Sequence, residues 1–196
     1  MEKRFCQATE NNKDAILDVL KERFASVKVV FEIGSGTGQH AIHFAPQLEH
    51  LTWVTADMEV NHDTIKAWLT DFPSDNIDGP LVYEVGNSDW PVKGADAVFS
   101  ANTAHIMHPE ITRQMFYNVA DNLPTGGVFC LYGPFNVDGQ YTSEGNKSFD
   151  AHLAREGCGG IRDISELQSW VADKHLVLEE RLAMPANNFL LVWRKQ

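Results

Sequence analysis

The sequence predicts a doubly wound α/β fold, and three observations carry that prediction. Apolar runs of strand length alternate with segments of helical spacing. The first run, Val29-Val30-Phe31-Glu32-Ile33, leads directly into Gly34-Ser35-Gly36-Thr37-Gly38. The chain closes on two strand-like runs joined by a short turn, which implies an antiparallel hairpin. With 196 residues, 43% of them hydrophobic, there is enough apolar material for one sheet with helices on both faces. No linker, repeat or low-complexity tract interrupts the alternation, so one domain spanning 1–196 is expected.

Taken in order, Asn12 to Phe24 places Ile16, Leu17, Val19, Leu20 and Phe24 mostly on one helical face, predicting an amphipathic helix that could cap the site beyond it. The strand at Val29 to Ile33 follows, then the glycine loop and a helix from Gly38 to Ala45. Leu51 to Ala56 reads as the second strand. Asn61 or Asp63 could cap the next helix, through Ile65, Trp68 and Leu69. Leu81 to Val85 reads as the third strand and Ala95 to Ser100 as the fourth. Pro109 suits a helix start, Ile111 to Leu123 carries helical spacing, and Pro124-Thr125-Gly126-Gly127 turns into a fifth strand at Val128 to Tyr132. Residues 133–160 show little periodicity and much Gly, Asn, Ser and Asp, which predicts an irregular functional segment. Ile164 to His175 reads as the last helix. Leu176 to Leu182 and Phe189 to Trp193 form the predicted hairpin, joined through Met184-Pro185-Ala186-Asn187-Asn188.

Charge and cysteine content narrow the class. Sixteen Lys and Arg stand against 27 Asp and Glu, a formal charge of −11, and the basic residues are scattered. Phosphate backbones would be repelled on average, which argues against nucleic acid as a partner. Cys6, Cys130 and Cys158 are too few and too widely spaced for a disulfide framework or zinc cluster, so free thiols and a cytoplasmic location are expected. The N-terminus does not resemble a signal peptide, and no stretch approaches the roughly 20 apolar residues of a membrane span, so no membrane partner is expected.

The glycine loop predicts a nucleotide-cofactor site, since only backbone lies beneath a ligand there. The dinucleotide fingerprint spaces its glycines G-x-G-x-x-G, whereas this chain reads G-x-G-x-G. Glu32, two residues before the first glycine, would repel a pyrophosphate and attract an ammonium group. S-adenosylmethionine carries that ammonium and no phosphate. Asp57, at the tip of the second strand, can accept both ribose hydroxyls of either cofactor type.

With Glu32-x-Gly34-x-Gly36-x-Gly38 after the first strand, the chain resembles the class I S-adenosylmethionine-dependent methyltransferases. More narrowly, it resembles the methyltransferase-like 26 family, a domain of unknown function, across nearly its whole length. The matching segments are Glu10-Asn11-Asn12-Lys13-Asp14 before Ile16-Leu17, Ser35-Gly36-Thr37-Gly38-Gln39-His40, Phe149-Asp150-x-x-Leu153, Gly160-Ile161-Arg162-Asp163 and Met184-Pro185-Ala186-Asn187-Asn188. The family usually has Ser-Pro ahead of its first Ala; here Cys6-Gln7-Ala8 stands instead. The resemblance implies a Rossmann-like, seven-stranded, mostly parallel sheet with a C-terminal antiparallel hairpin, an N-terminal lid helix within 1–25, and S-adenosylmethionine as cofactor.

Under that resemblance the cofactor contacts are Glu32, Gly34, Ser35, Gly36, Gly38, His40 and Asp57, with Asn87, Asp89 and Trp90 around adenine, or Glu84 if the third strand ends earlier. His40 and His43 lie three apart on a helix, but no third metal ligand has recognisable spacing, so no metal is expected. His105, just past the fourth strand in Ser100-Ala101-Asn102-Thr103-Ala104-His105, is the candidate general base, or else a hydrogen-bonding wall of the pocket. Asn102 is the second catalytic candidate; its tetrapeptide is not the Asn-Pro-Pro-aromatic motif of methylases acting on planar nitrogens. Tyr132, Asn136, Tyr141, Phe149, Arg162, Asp163, Asn187 and Asn188 are the substrate candidates, and a small polar molecule with a carboxylate facing Arg162 would suit them. The expected function is methyl transfer to such a molecule. The alternatives are a non-catalytic sensor or scaffold that binds S-adenosylmethionine, and an NAD-dependent oxidoreductase, which the glycine spacing and Glu32 disfavour.

Overall fold

A computed structural model describes residues 3–196. Seven strands form one mixed sheet in the order β3-β2-β1-β4-β5-β7-β6, with helices around it. The strands are β1 (Val29–Ile33), β2 (Thr52–Asp57), β3 (Ile77–Val82), β4 (Ala97–Ala101), β5 (Val128–Gly133), β6 (Leu176–Met184) and β7 (Asn188–Lys195). The helices are α1 (Gln7–Arg23), α2 (Gln39–Phe44), α3 (His62–Asp71), α4 (Pro109–Asn122), α5 (Glu144–Arg155) and α6 (Ile164–Trp170). β1 pairs in parallel with β2 and β4, and β7 runs antiparallel to both β5 and β6. The sheet is therefore the Rossmann-like, mostly parallel one that the sequence predicts, with its C-terminal hairpin. The chain divides into two compact units, one ending at Phe99 and the other running from Ser100 to Gln196.

The first unit is built on aromatic packing. Phe44, Trp53 and Phe99 are fully buried and meet with ring centroids 5.4–5.6 Å apart at steep angles, the arrangement their quadrupoles favour. α1 buries Ile16, Leu17 and Leu20 as its spacing predicts, and it buries Asn12 as well. It begins at Gln7, five residues before the predicted start, because the exposed first turns carry no apolar signal. Gly38 has φ +89°, and a Cβ there would sit 3.3 Å from the backbone and side chain of Ile65, so α3 packs directly on a glycine.

Two predicted elements need correction. The third strand lies at Ile77–Val82 instead of Leu81 to Val85. It is the sheet's edge strand, where Asp78, Gly79 and Pro80 are tolerated and the alternating apolar pattern is lost. Tyr83 and Val85 are apolar because they are buried beyond the strand's end. The segment expected to be irregular, 133–160, contains α5, a helix of 12 residues capped by Ser143, whose Oγ accepts from the Asn146 backbone N–H at 3.0 Å. Gly145 and Asn146 in its first turn, and Leu153 as its only buried apolar residue, concealed it. The last helix is also shorter than predicted, ending at Trp170. In the second unit Phe116 stacks edge-on against Phe129 and Trp193, with centroids 5.4 and 5.1 Å away, which joins α4 to β5 and β7.

Candidate functional site

In the first unit the glycine loop is fastened to the end of β2. The backbone N–H groups of Gly34 and Ser35 both donate to the Ala56 carbonyl at 3.0 Å, and Ser35 Oγ accepts from Ala56 N–H at 3.1 Å. Gly36 N–H donates to Asp57 Oδ2 at 2.7 Å. Gly34, Gly36 and Gly38 all have positive φ, and a Cβ placed on Gly36 would meet nothing within 4 Å, so at Gly36 the loop presents bare backbone to open space.

Glu32 is buried at the same end of β1. Its Oε2 accepts from Ser35 Oγ at 2.8 Å and from Trp53 Nε1 at 3.0 Å. Burial pushes its carboxyl up to about 7, against the pull of the Trp53 and Ser35 donors and with a small push from Asp57. Glu32 thus braces the loop from beneath. Asp57 accepts three donors: Gly36 N–H on Oδ2, and Met58 N–H and Asn61 Nδ2, each at 2.7 Å, on Oδ1. A carboxylate offers about four acceptor positions, so one remains on Oδ2.

His40 is buried, stacked on Phe44 at 5.0 Å, with Nε2 against Asn12 Oδ1 at 2.8 Å. Burial, and to a lesser degree His43, lowers its pKa to about 3, so the ring is neutral. It ties α1 to α2. Trp90 is half-buried and packs edge-on to Phe31 at 4.7 Å. Asn87 and Asp89 are exposed in the turn after β3. Because β3 ends at Val82, Glu84 also stands in that turn, as the sequence reading allowed.

The second unit gathers its candidates around α5. His105 is buried, its ring 5.3 Å from Phe149 on α5 and steeply inclined to it. A Cβ on Gly133, at the end of β5, would come within 3.8 Å of His105 Nδ1. Among the described residues the His105 ring has no hydrogen-bond partner. Burial lowers its pKa to about 4, opposed by the charge of Asp150. Asp150 itself accepts from the Tyr141 hydroxyl at 2.6 Å and from the Ile161 backbone N–H at 2.7 Å. Asn102 has φ +57°, in the left-handed region that Asn enters more readily than other side chains, and its N–H donates to the Tyr132 carbonyl at 2.9 Å. Tyr132 is buried on β5.

The segment 159–164 is held on both sides by backbone hydrogen bonds. Gly160 N–H donates to the His105 carbonyl, while Asn136 N–H donates to the Arg162 carbonyl and Ile164 N–H to that of Asn136. Asn136 Oδ1 is buried with no hydrogen-bond partner among the described residues. Asp163 caps α6 through Ser165 N–H and accepts from Gly139 N–H at 2.6 Å. Asn187 and Asn188 lie in the hairpin turn, where Ala186 and Asn187 both have positive φ. Asn146 Nδ2 donates to the Asn187 carbonyl at 3.1 Å, and Asn188 Nδ2 to that of Pro185.

Arg162 departs from expectation. Its Nε and Nη2 donate to the carbonyls of Gly160 and Gly159, and Nη1 lies 3.7 Å from Glu166. The guanidinium is committed to shaping its own loop, so a substrate carboxylate would meet a cation already engaged. Two residues that organise these sites are not site candidates by sequence: Asp150, despite its place in the Phe149-Asp150-x-x-Leu153 segment, and Asn61, which the sequence offers, as an alternative to Asp63, for a helix cap.

The sheet order, the glycine loop after β1 and the acid at the tip of β2 define the class: a Rossmann-like fold of the methyltransferase type. The chain belongs to the family described as "Protein of unknown function (DUF938)", which matches residues 3–195. Among solved structures it is similar to an O-methyltransferase family 2 protein from Planctomyces limnophilus in complex with apigenin. That likeness has TM-score 0.84 and 16% identity, covering 97% of this chain and 58% of the other. An O-methyltransferase family protein from Burkholderia thailandensis gives TM-score 0.79 at 17% identity, covering 94% and 56%. Human N-acetylserotonin methyltransferase in complex with S-adenosylmethionine gives 0.74 at 13%, covering 93% and 54%. The chain thus spans a little over half the length of each, and the likeness is one of fold. No helix among the described residues is long and apolar enough to cross a membrane.

Proposed function

We propose that this protein binds S-adenosylmethionine and transfers its methyl group to a small polar molecule. The observation that carries the reading is the glycine loop: bare backbone at Gly36 facing open space, with its N–H fixed on Asp57 and an acceptor position left on that carboxylate. When bound, the cofactor supplies an activated sulfonium methyl that a nucleophile attacks in line. Little covalent work then falls to the protein, and alignment alone supplies roughly 7–11 kcal/mol. The narrower resemblance to methyltransferase-like 26 proteins belongs to the same proposal.

In this reading Gly34, Ser35, Gly36 and Gly38 cradle the cofactor, Asp57 accepts a ribose hydroxyl, and the turn carrying Glu84, Asn87 and Asp89 meets adenine. In the second unit, Phe149 and Tyr141 offer aromatic surface to an acceptor, and Asn136 Oδ1 accepts from one of its donor groups. His105 takes the acceptor's proton: its imidazole is neutral at pH 7, its ring carries no competing hydrogen bond, and Asp150 favours the imidazolium that would form.

Calorimetric titration with S-adenosylhomocysteine, with NADH in a parallel run, tests the reading first. Micromolar binding of the former alone, about −8 kcal/mol, supports it. Binding of NADH alone, or of neither, removes it. A screen of small hydroxyl, amine and thiol compounds for methylated product then separates an enzyme from a sensor.

A further inference from the structure

The structure assigns Asn61 and Arg4 a role in positioning the ribose-binding acid, and through it couples the N-terminal strap of residues 3–6 to cofactor binding. The inference rests on the reading that Asp57 holds the ribose.

Asn61 precedes α3 at the position where an Asn ordinarily caps a helix, yet its side chain makes no capping hydrogen bond. A 3-10 turn at Glu59–Asn61 runs straight into the helix, and Asn61 has φ −93° and ψ −9°, so the extended backbone that a cap needs is absent. Its amide is used elsewhere. Nδ2 donates to Asp57 Oδ1 at 2.7 Å, while Oδ1 accepts from Arg4 Nη2 at 2.6 Å. The carboxylate at one end and the guanidinium at the other allow only one orientation of the amide, because the flipped form would face acceptor with acceptor and donor with donor. Together with Met58 N–H, Asn61 fills Oδ1 of Asp57 and leaves the free position on Oδ2, beside the Gly36 N–H.

Arg4 is in turn held at both ends of its peptide. Its N–H donates to Thr64 Oγ1 at 2.9 Å, and its carbonyl accepts from Trp68 Nε1 at 2.7 Å, both on α3. On either side of it, Lys3 lies over the Trp68 ring and Phe5 packs against it, with centroids 6.3 Å apart. Two residues on, Cys6 N–H donates at 2.7 Å to Gln39 Oε1, the side chain immediately after the last loop glycine. The strap is thereby tied to α3, to the loop and, through Asn61, to Asp57. The factor by which the docked strap tightens ligand binding at Asp57 is also the factor by which the bound ligand stabilises the docked strap, since coupling between two sites is reciprocal.

The test uses the full chain and S-adenosylhomocysteine. Asn61→Leu keeps side-chain size and removes both hydrogen bonds; its dissociation constant is expected to rise roughly tenfold. Arg4→Met removes only the outer bond and should raise it about threefold, and the double variant should be no weaker than Asn61→Leu alone because the two act in series. An analogue lacking both ribose hydroxyls separates positioning from mere structure: the gap in affinity between it and S-adenosylhomocysteine should shrink in Asn61→Leu. S-adenosylhomocysteine should also slow amide exchange of residues 3–6 in the wild type and do so less in Asn61→Leu. Unchanged or tighter binding by Asn61→Leu, or equal weakening for both ligands, overturns the inference. If the wild type binds no S-adenosylhomocysteine, or Asp57→Ala binds it as well as wild type, the underlying ribose reading has failed instead.

Discussion

The two compact units arrange their polar groups in opposite ways. In the first, the groups at the glycine loop satisfy one another over short distances: Glu32 with Ser35 and Trp53, Asp57 with Gly36, Met58 and Asn61. In the second, a helix the sequence concealed organises the candidates. Phe149 faces His105, Asp150 receives Tyr141 and Ile161, and Asn146 reaches the hairpin turn, yet the His105 ring and Asn136 Oδ1 are left without partners among the described residues. Two buried histidines, one in each unit, condense the difference. Both are neutral, with His40 at about 3 and His105 at about 4, but His40 spends its Nε2 on Asn12. A pre-satisfied set of groups suits one invariant ligand; unpaired groups in a buried setting suit the place where chemistry or selection occurs.

The largest expected effect breaks the comparison at His105. His105→Ala should cut methyl transfer by ~10²–10⁴ while S-adenosylhomocysteine affinity persists. A base must be neutral to act, so turnover in the wild type should be full at neutral pH and fall only as pH drops through about 4. Retained turnover in the variant would make the ring a wall of the pocket.

Glu32 offers the next effect, on stability. Its carboxyl is raised from 4.5 to about 7 in the folded state, so between those values the native protein binds more protons than the unfolded chain. The contribution of Glu32 to stability should therefore decline as pH rises from about 4.5 to 7 and level off above, by an amount on the order of 3 kcal/mol. His40 and His105, lowered to about 3 and about 4, work in the opposite sense up to about 6.5, adding stability as pH rises and together outweighing Glu32 where the windows overlap. Denaturation of Glu32→Gln beside the wild type across pH isolates the Glu32 contribution: the variant should show a steeper rise than the wild type between about 4.5 and 6.5, due to His40 and His105, and lose the fall above it. A fall that survives in the variant would show that another group is responsible.

Much of this architecture is legible in the sequence because it is local. Val29 to Ile33 with the glycines behind it, and the run ending at Asp57, announce two adjacent parallel strands and their loop by spacing alone. The edge strand was misplaced because Asp78-Gly79-Pro80 carries no apolar alternation, and α5 was missed because a helix with one buried apolar residue has almost no periodic signal. The roles of Asn61 and Asp150 were invisible for a different reason. Each depends on a hydrogen-bond partner fixed by folding: Arg4 lies 57 positions from Asn61, and Ile161 lies 11 from Asp150. The engagement of Arg162 is illegible on the same ground, since nothing in its spacing reveals that its donors curl back onto Gly159 and Gly160.

Arg162 also yields the third test. If its guanidinium shapes the loop, Arg162→Ala should lower stability by about 1–3 kcal/mol, because two partly buried carbonyls lose their charged donor. Loss of acceptor binding with unchanged stability would restore the carboxylate-binding role instead. Thermal unfolding reads the stability, and the KM of an acceptor found in the compound screen reads its binding.

The smallest effect concerns the Tyr141 hydroxyl on Asp150. Tyr141 is 41% exposed, so its bond competes with water, and Tyr141→Phe should cost no more than about 0.5–1 kcal/mol. Its influence on chemistry should be clearer than its influence on folding. Removing the hydroxyl withdraws a donor from the carboxylate whose charge opposes the lowering of the His105 pKa, leaving Asp150 less well neutralised. The acid limb of the pH profile should then move upward by a fraction of a unit. A limb that stays in place while stability changes would mean that Tyr141 only fastens its segment to α5, and that Asp150 acts on His105 without its help.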